Sequence, residues 1–310
     1  MPHPLPKFLI VTPSYHRAVF LDQTIRSVVS QSGDFEIDYI VQDGGSGDDV
    51  ISILRRWEEE ITSGRFVPSC AKLSFRWFSE KDNGMYDAIN RGFARGDGDI
   101  MAWINTDDMY HPYAFQTISQ ILTEQSDIHW LTGIPNSYNE HGSRCGMDLF
   151  PSSYSREFIR RGYYDVKFLS SGFNWIQQES TFWRRSLWDK AGGALDISKK
   201  YVADFLLWQK FSEHSDLVKV YSFLGGYRCH DDQITADPER YRRELAQVAP
   251  PPGGLGLFNS ICSCMPPAKR MMYNRFMLRL LGVEWDWMTG RTVRWSFADR
   301  KWVVQVEGII

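Results

Sequence analysis

Two adjacent acidic residues, Asp107 and Asp108, carry the clearest chemical signal in the sequence. They follow a mostly apolar run (99–105) that is typical of a buried strand, and Pro112 marks a predicted helix start just after them. Paired carboxylates at a strand end can bind a hard divalent cation, which would hold a diphosphate and stabilise it as a leaving group. The alternative is that one of the two caps the next helix. The position of the pair beside other polar strand ends favours a metal site.

A second polar turn, Asp43-Gly44-Gly45-Ser46, follows the strand-like run 38–42. A carboxylate at a strand end can accept hydrogen bonds from a nucleobase or a ribose hydroxyl, and glycines allow the backbone to approach a ligand closely. An ordinary strand-to-helix turn is the alternative. The chain contains neither G-x-G-x-x-G nor G-x-x-x-x-G-K-[ST], so the dinucleotide-binding and P-loop classes are disfavoured.

A third polar segment, residues 80–92, spans a predicted strand–turn–helix junction. Asp87, Asn90 and Arg91 stand at positions i, i+3 and i+4, and therefore share one side of the helix. Contact with a ligand and a solvated helix face are the two interpretations, and the second is favoured for Arg91.

The elements that must position these residues alternate between strand and helix over residues 1–130. Apolar runs predict strands at 7–12, 38–42, 73–78, 99–105 and 128–132, and helical periodicity predicts helices from 21, at 48–62, at 84–94 and at 112–124. This order predicts an α/β fold with a mostly parallel sheet covered by helices on both faces. Ligands bind beyond the carboxyl ends of such strands, so the polar strand ends at 12–15, 42–46 and 105–108 should meet at one crevice.

The second half of the chain is less regular. The pattern predicts a short helix at 155–161, a strand at 176–183, a helix from 186, a helix at 202–211 and a strand at 217–224. Gly225-Gly226 is typical of a turn, and the Pro- and Gly-rich segment 250–254 marks a boundary. Residues 268–281 are basic and apolar, as in amphipathic helices that lie on anionic membranes, although packing on the protein is favoured. The runs 292–297 and 301–306 predict a hairpin.

Composition excludes several classes of protein. The 310 residues include 35 Lys and Arg against 38 Asp and Glu, giving a net charge of −3, which disfavours binding to nucleic acid through a basic surface. Hydrophobic residues make up 43%, which disfavours disorder. The five cysteines lack C-x-x-C spacing, so reduced thiols in the cytosol are expected. No run is long enough for a signal peptide or a membrane span, which predicts a soluble or peripheral protein.

Four motifs in order resemble those of family 2 glycosyltransferases of GT-A fold. They are Thr12-Pro13-Ser14-Tyr15, Gln42-Asp43-Gly44-Gly45-Ser46, Asp82-Asn83-Gly84 and Asn105-Thr106-Asp107-Asp108, and the resemblance spans about residues 7 to 235. It implies a nucleoside-diphosphate sugar as donor, with Mn²⁺ or Mg²⁺, and implies that Asp43 contacts the nucleobase. Residues implied to bind the nucleotide sugar are Thr12, Pro13, Tyr15, Asp43, Gly44, Asp82, Asn83, Asp87, Asn105, Asp107 and Arg228. Asn105 replaces the first Asp of many members, so metal contact rests on Asp107 and Asp108, and Gln42 leaves the base preference open.

The resemblance also indicates where catalysis would occur. Asp204, in Tyr201-Val202-Ala203-Asp204, matches the place of the family's general base, and Glu179 lies in a segment similar to the acceptor-side strand. An inverting transfer needs one carboxylate to remove the acceptor proton, and an ordinary Asp is ionised at neutral pH. The alternative for Asp204 is a first-turn residue favoured by the helix dipole. Glu179 is the second candidate for the base, or orients the acceptor.

A late segment, Arg228-Cys229-His230, is similar to the family's Arg-x-His segment, which closes over the donor phosphates. Arg228 would then clamp the diphosphate, because guanidinium matches phosphate oxygens. His230 would bind the metal or a phosphate. The alternative is that both are ordinary surface or core residues. The Trp residues, among them Trp103, Trp175, Trp183 and Trp208, are assigned to the core.

These observations predict a metal-dependent inverting glycosyltransferase. Its acceptor would be a glycan or lipid-linked hydroxyl, in surface polysaccharide or lipopolysaccharide synthesis. A GT-A domain is expected at 1–235, divided near 130 into a nucleotide-binding and an acceptor half, with a C-terminal extension at 236–310. The expected location is cytoplasmic, with peripheral membrane contact through 268–281 and a homo-oligomer left open. The alternatives are a non-catalytic sugar-nucleotide-binding protein and a nucleotidyltransferase, which would need a Gly-rich basic loop where residues 12–17 stand.

Overall fold

The computed structural model describes residues 4–147, 152–162, 176–230, 238–248 and 289–308. The strands within these ranges are β1 (Lys7–Ser14), β2 (Gly33–Asp43), β3 (Cys70–Ser79), β4 (Ile100–Trp103), β5 (Met109–Tyr110), β6 (Trp130–Thr132), β7 (Asn136–Tyr138), β8 (Arg144–Met147), β9 (Thr181–Arg184), β10 (Leu217–Val220), β11 (Gly225–Arg228), β12 (Thr289–Ser296) and β13 (Lys301–Gly308). The helices are α1 (Leu21–Val29), α2 (Asp48–Thr62), α3 (Met85–Arg95), α4 (Ala114–Glu124), α5 (Arg156–Arg160), α6 (Arg185–Lys190), α7 (Ala203–His214) and α8 (Pro238–Val248).

A nine-stranded sheet forms the centre of the fold, in the order β13-β12-β10-β6-β9-β4-β1-β2-β3. The pairs among β4, β1, β2 and β3 are parallel, as are those of β10 with β6 and β12. Strand β9 runs antiparallel between β4 and β6. The predicted α/β architecture with a mostly parallel sheet is therefore confirmed, with β9 as the strand that joins its two halves.

The central strands are apolar because both of their faces are covered. In β1 all residues from Phe8 to Ser14 are buried, which is the pattern of a parallel strand between two layers of helices. Helix α1 begins at its predicted start and α2 has its predicted limits, since each has a single apolar stripe to bury. Rings from β4, β9 and α7 fill the core between the sheet and α7, where Trp103 and Trp208 stack at 6.0 Å. The predicted core location of Trp103, Trp183 and Trp208 is confirmed, while Trp175 lies outside the described residues.

A second sheet, β5-β11-β7-β8, lies beside the carboxyl end of β4. The expectation of a Gly225-Gly226 turn is wrong, because both glycines lie in β11. A Cβ atom on Gly225 would stand 2.0 Å from the carbonyl oxygen of Glu179, so glycine is needed for close strand packing rather than for a turn. The expected strand 176–183 is also shorter, since Gln178–Ser180 forms a 3₁₀ turn ahead of β9.

The predicted terminal hairpin is present as β12 and β13, and it continues the main sheet through parallel pairing of β12 with β10. The expected amphipathic helix at 268–281 lies outside the described residues. Within the part of the chain that the structure describes, no helix has the length and apolarity to cross a membrane. Cys70, Cys145 and Cys229 form no disulfide there.

Candidate active site

The polar ends of β1, β2 and β4 line one cleft of about 560 Å³. The backbone links these ends directly, because the Gly44 N–H donates to the Ser14 carbonyl at 2.8 Å and the Glu80 N–H donates to the Asp43 carbonyl at 3.0 Å. The cleft wall includes eight of the residues predicted from the sequence: Pro13, Tyr15, Gly44, Asp82, Asn105, Asp107, Asp108 and Glu179.

Asp43 shapes the turn after β2 and does not line the cleft. Its side chain is buried, and its oxygens accept hydrogen bonds from the backbone N–H groups of Gly45 (3.1 Å) and Ser46 (2.8 Å). The hydroxyls of Ser46 and Ser79 donate to it as well, at 2.5 and 2.6 Å. Asp43 therefore fixes the loop that exposes Gly44 to the cleft, and its contact with a nucleobase stays a prediction.

Gly44 and Asp82 face each other across the cleft wall. A Cβ atom on Gly44 would lie 2.8 Å from the Asp82 carboxylate and 3.0 Å from the Tyr15 ring, so a larger residue would require these side chains to move. The Asp82 carboxylate accepts the Gly84 N–H at 2.9 Å. Burial raises the pKa of Asp82, and the neighbouring charges of Asp87 and Asp43 add to this. The two motifs thus form one continuous surface at the mouth of β1.

Three other residues predicted to bind the nucleotide sugar are parts of the frame around the cleft. The Asp87 carboxylate accepts the backbone N–H of Asn83 at 2.9 Å, its side-chain amide at 3.1 Å and the Arg91 guanidinium at 2.8 Å. Thr12 is buried with its hydroxyl 2.9 Å from that of Tyr39. None of Thr12, Asn83 and Asp87 lines the cleft; their hydrogen bonds hold the turns around it, and their contact with the nucleotide sugar stays a prediction.

The acidic pair after β4 divides into two different environments. The Asp107 carboxylate is 3.0 Å from Nε2 of His230, and both side chains are partly accessible. Asp108 is buried and accepts the backbone N–H of Arg228 at 2.9 Å and the side-chain amide of Asn105 at 3.1 Å. Burial, together with the charges of Glu179 and Asp107, raises the pKa of Asp108 well above its ordinary value. Asp107 faces the ligand space, whereas Asp108 is an internal hydrogen-bond acceptor.

The residues that could ligate a metal ion therefore differ from those that the sequence predicts. Among the described residues no three His, Cys, Asp or Glu side chains are grouped to hold a metal ion. Asp107 and His230 do form a pair, and the buried Oδ1 of Asn105 at the cleft wall has no hydrogen-bond partner. Mg²⁺ is usually held by one or two carboxylates together with substrate phosphates. The Asp107 carboxylate and the Asn105 amide oxygen fit that pattern, with His230 as a neighbouring nitrogen ligand for a transition metal, whereas the oxygens of Asp108 are occupied by protein donors.

Arg228 does not reach the cleft, and the expectation that it clamps the diphosphate is wrong. Its side chain is fully buried. Its Nε donates to the Asp107 carbonyl at 2.8 Å, and its Nη1 donates to the carbonyls of Asn139 (3.1 Å) and Glu140 (3.2 Å). Nη2 donates to the side chain of Gln23 at 2.8 Å. Every terminal nitrogen is thus committed to the protein, and Arg228 ties the loop of Asp107 to the second sheet.

The acceptor side brings Glu179 and Asp204 towards the acidic pair. Glu179 lies in the turn before β9 and lines the cleft, where burial raises its pKa to about 7, with a contribution from the charges of Asp107 and Asp204. Glu179 is also hydrogen-bonded to Asp108. Asp204 lies in the first turn of α7 and accepts the Phe205 N–H at 2.8 Å. Burial raises the pKa of Asp204 to about 6, so this carboxyl group is ionised above that pH.

Sequence reasoning missed several residues of the cleft wall. Arg17 and Lys81 contribute positive charge near the polar strand ends, and the rest of the wall consists of Ser14, Gly84, Met85, Ala88, Thr106 and Tyr227. The sequence could have indicated Arg17 and Lys81, because each follows a polar strand end within a few residues. Cationic side chains at such positions suit a diphosphate.

The sheet topology and the carboxylates at its strand ends are those of a glycosyltransferase of GT-A fold. The chain belongs to glycosyl transferase family 2, whose model matches residues 9–182.

A curated relative, an uncharacterised glycosyltransferase of Mycobacterium tuberculosis, is 32% identical over 105 residues, or 34% of this chain. The match spans 35% of that relative, about a third of its length. Two solved structures share the fold. Staphylococcus aureus TarS 1–349 in complex with UDP-GlcNAc has a TM-score of 0.55 at 12% identity, covering 85% of this chain and 69% of TarS. Pyrobaculum calidifontis mannosyltransferase PcManGT in complex with GDP-Man and Mn²⁺ has a TM-score of 0.54 at 15% identity, covering 91% and 76%.

Proposed function

We propose that this glycosyltransferase moves a sugar from a nucleoside diphosphate to an acceptor hydroxyl with inversion at the anomeric carbon. One observation carries the proposal. The pKa of Glu179, on the cleft wall, is raised by burial and then by the charges of both Asp107 and Asp204, so these carboxylates lie within electrostatic reach of one another. Asp204 does not itself line the cleft, and in this proposal an acceptor oxygen at Asp204 meets a donor diphosphate at Asp107 beside Glu179.

The donor side would bind the nucleotide between Tyr15, Gly44 and Asp82, with Arg17 and Lys81 near the diphosphate. Mn²⁺ or Mg²⁺, held by Asp107 and His230 with the Asn105 carbonyl, would neutralise charge on the leaving diphosphate. The Mn²⁺ and GDP-Man of the mannosyltransferase and the UDP-GlcNAc of TarS are the precedents in related folds.

On the acceptor side, Asp204 would act as the general base. The acceptor oxygen forms a bond to C1 of the sugar as the bond from C1 to the diphosphate oxygen breaks, and the acceptor proton passes to the Asp204 carboxylate. A base with a pKa near the working pH is effective in such a step, and about 6 meets that condition. The pKa of Glu179, about 7, meets the same condition. Because the Glu179 side chain is already hydrogen-bonded to Asp108, we assign it to orienting the acceptor. The proposed acceptor is a glycan or lipid-linked hydroxyl of a surface polysaccharide, and the proposed location is the cytoplasmic side of a membrane.

A panel of UDP-, GDP- and dTDP-sugars, each with and without Mn²⁺, tests the proposal. Release of the nucleoside diphosphate is measured with water and with simple alkyl glycosides as acceptors, and the anomeric configuration of the product is read by NMR. We expect Mn²⁺-dependent release with one class of donor, and inversion in the product.

The matched variants Asp204→Asn and Glu179→Gln separate the two candidate bases. Asp204→Asn should abolish transfer while donor binding, followed by thermal shift, is retained. Full transfer by Asp204→Asn would show that Asp204 is not the base. Donor binding without any turnover by the wild type would instead identify a non-catalytic sugar-nucleotide-binding protein.

A further inference from the structure

The N-terminus of α7 is held by a side chain from α8. The Glu244 carboxylate accepts backbone N–H groups from three consecutive residues: Lys200 at 2.9 and 3.2 Å to its two oxygens, Tyr201 at 2.6 Å and Val202 at 3.1 Å. Val202, the residue before the helix, makes no side-chain capping bond of its own. These three N–H groups belong to the N-cap residue and the two residues that lead into α7, so Glu244 fixes the backbone where the chain enters the helix. A negative charge at a helix N-terminus also interacts well with the helix dipole. Glu244 supplies both the acceptor oxygens and the charge from a position 42 to 44 residues further along the chain.

Apolar contacts fix α8 on the same part of α7. A small buried cluster, separate from the main core, joins the two helices: Val202, Phe205 and Leu245, with Tyr201, Leu206, Tyr241 and Val248 packed against them. Because this cluster surrounds the capping bonds, the Glu244 carboxylate approaches the backbone of residues 200–202 from a fixed direction.

Asp204 lies in the turn of α7 that is held in this way, and ionisable groups from three elements surround it. They are Glu179 from the turn before β9, Tyr86 from α3 and Glu244 from α8, and Tyr241 of α8 in turn faces Tyr86. The Tyr86 hydroxyl is hydrogen-bonded to the backbone of α7. Burial raises the pKa of Asp204, and the charge of Glu244 contributes further in the same direction.

We propose that Glu244 is a positioning residue for Asp204, which sets the place of the general base by holding the backbone of residues 200–202. This inference rests on the proposed function, in which Asp204 takes the acceptor proton. A shift of the first turn of α7 moves the Asp204 carboxylate by a similar distance, and catalytic groups lose rate steeply when misplaced by about 1 Å. Glu244 touches no reacting atom, so its effect should appear in kcat rather than in donor binding.

Hydrogen exchange of the full-length protein without substrate tests the contact itself. In Glu244→Ala the amides of residues 200–202 should exchange faster, because their acceptor is gone. Glu244→Gln retains one carbonyl oxygen and should give intermediate protection, and it is the variant to compare if Glu244→Ala unfolds. Glu239→Gln, which removes the same charge from an exposed position in the first turn of α8, serves as the matched control.

Steady-state kinetics with the UDP- or GDP-sugar that the wild type turns over test the consequence. Glu244→Ala should lower kcat roughly 10- to 100-fold with the donor KM unchanged, and Glu244→Gln should recover part of the rate. In both variants the acid limb of the pH–rate profile should move to lower pH, because a negative charge facing Asp204 is lost. Unchanged exchange and an unchanged kcat, or a change in donor KM alone, would overturn the positioning role. A wild type that turns over no donor refutes the proposed function and the catalytic part of this proposal together, whereas normal turnover with unchanged exchange refutes the positioning alone.

Discussion

Replacing Arg228 by Met should destabilise the protein far more than it weakens donor binding. The substitution keeps a long side chain but removes four hydrogen bonds, donated to the carbonyls of Asp107, Asn139 and Glu140 and to the Gln23 side chain. At about 1 kcal/mol for each bond, the free energy of unfolding should fall by about 4 kcal/mol. For a domain of this size such a loss lowers Tm by roughly 10 °C. Arg228→Lys keeps the charge but has a single nitrogen, so its loss should be intermediate.

Urea denaturation and thermal unfolding without ligand measure this effect, and Arg17→Met is the matched control. Arg17 lines the cleft, so its substitution should reduce donor affinity while stability changes little. The two substitutions should therefore have different effects: Arg228→Met lowers stability, and Arg17→Met weakens donor binding. Arg228→Met could instead have a free energy of unfolding within about 1 kcal/mol of the wild type and yet lose donor binding. The guanidinium would then have to act on the diphosphate. The assignment of Arg228 as a buried tie would then be wrong.

Three further outcomes follow from the geometry of the cleft. Asp107→Asn leaves His230 without its carboxylate partner. The Mn²⁺ concentration needed for half-maximal turnover should rise at least about tenfold, because one charged ligand is lost. An unchanged Mn²⁺ titration would exclude Asp107 as a ligand. The rate of transfer should rise as the pH passes through about 6, because Asp204 then ionises. Its pKa is higher in the folded than in the unfolded state, so the stability that protonated Asp204 contributes at low pH is lost as the pH rises to about 6. Asp204→Asn should therefore gain Tm relative to the wild type between pH 4 and 7, and parallel melting curves would contradict this. Gly225→Ala should displace the turn of Glu179, since the added Cβ would meet its carbonyl at 2.0 Å, and normal stability and kcat in this variant would refute the packing argument.

The sequence predicts the elements well wherever their pattern is local. Helix α2 has its predicted limits because one apolar stripe repeats over four turns. The parallel strands are recognisable as apolar runs ending in polar turns, and this is enough to predict that three strand ends meet. The insertion of β9 between β4 and β6 was not predictable in this way, because it depends on a pairing between distant segments. The Gly225-Gly226 turn was predicted wrongly for a related reason: the pattern shows glycine, but not whether a backbone approaches it.

The side chains of the site were predictable by position but not by direction. A strand-end motif predicts that Asp43 lies near the cleft, a helix face predicts this for Asp87, and the family's Arg-x-His segment predicts it for Arg228. Which way each side chain points depends on the donors and acceptors that surround it, and these come from elsewhere in the chain. Asp43 is surrounded by N–H groups and hydroxyls of its own turn and of β3, and Arg228 by carbonyls of the 139–140 turn. The Asp43 and Arg228 side chains are therefore hydrogen-bonded within the protein. The Asp107 carboxylate lines the cleft, with His230 3.0 Å away.

The same reasoning applies to the C-terminal residues, which the extent of the family resemblance assigns to an extension beginning at 236. Strand β12 pairs with β10, and Val293 and Trp302 are buried in the main core. Helix α8 caps and covers the start of α7 through Glu244 and Leu245. Whether residues 1–235 fold alone stays a prediction, but the geometry of Asp204 depends on residues beyond that boundary. In physical terms, the start of the helix that carries Asp204, the proposed general base, contacts Tyr86 from earlier in the chain and Glu244 from later in it, and no stretch of sequence around Asp204 contains that information.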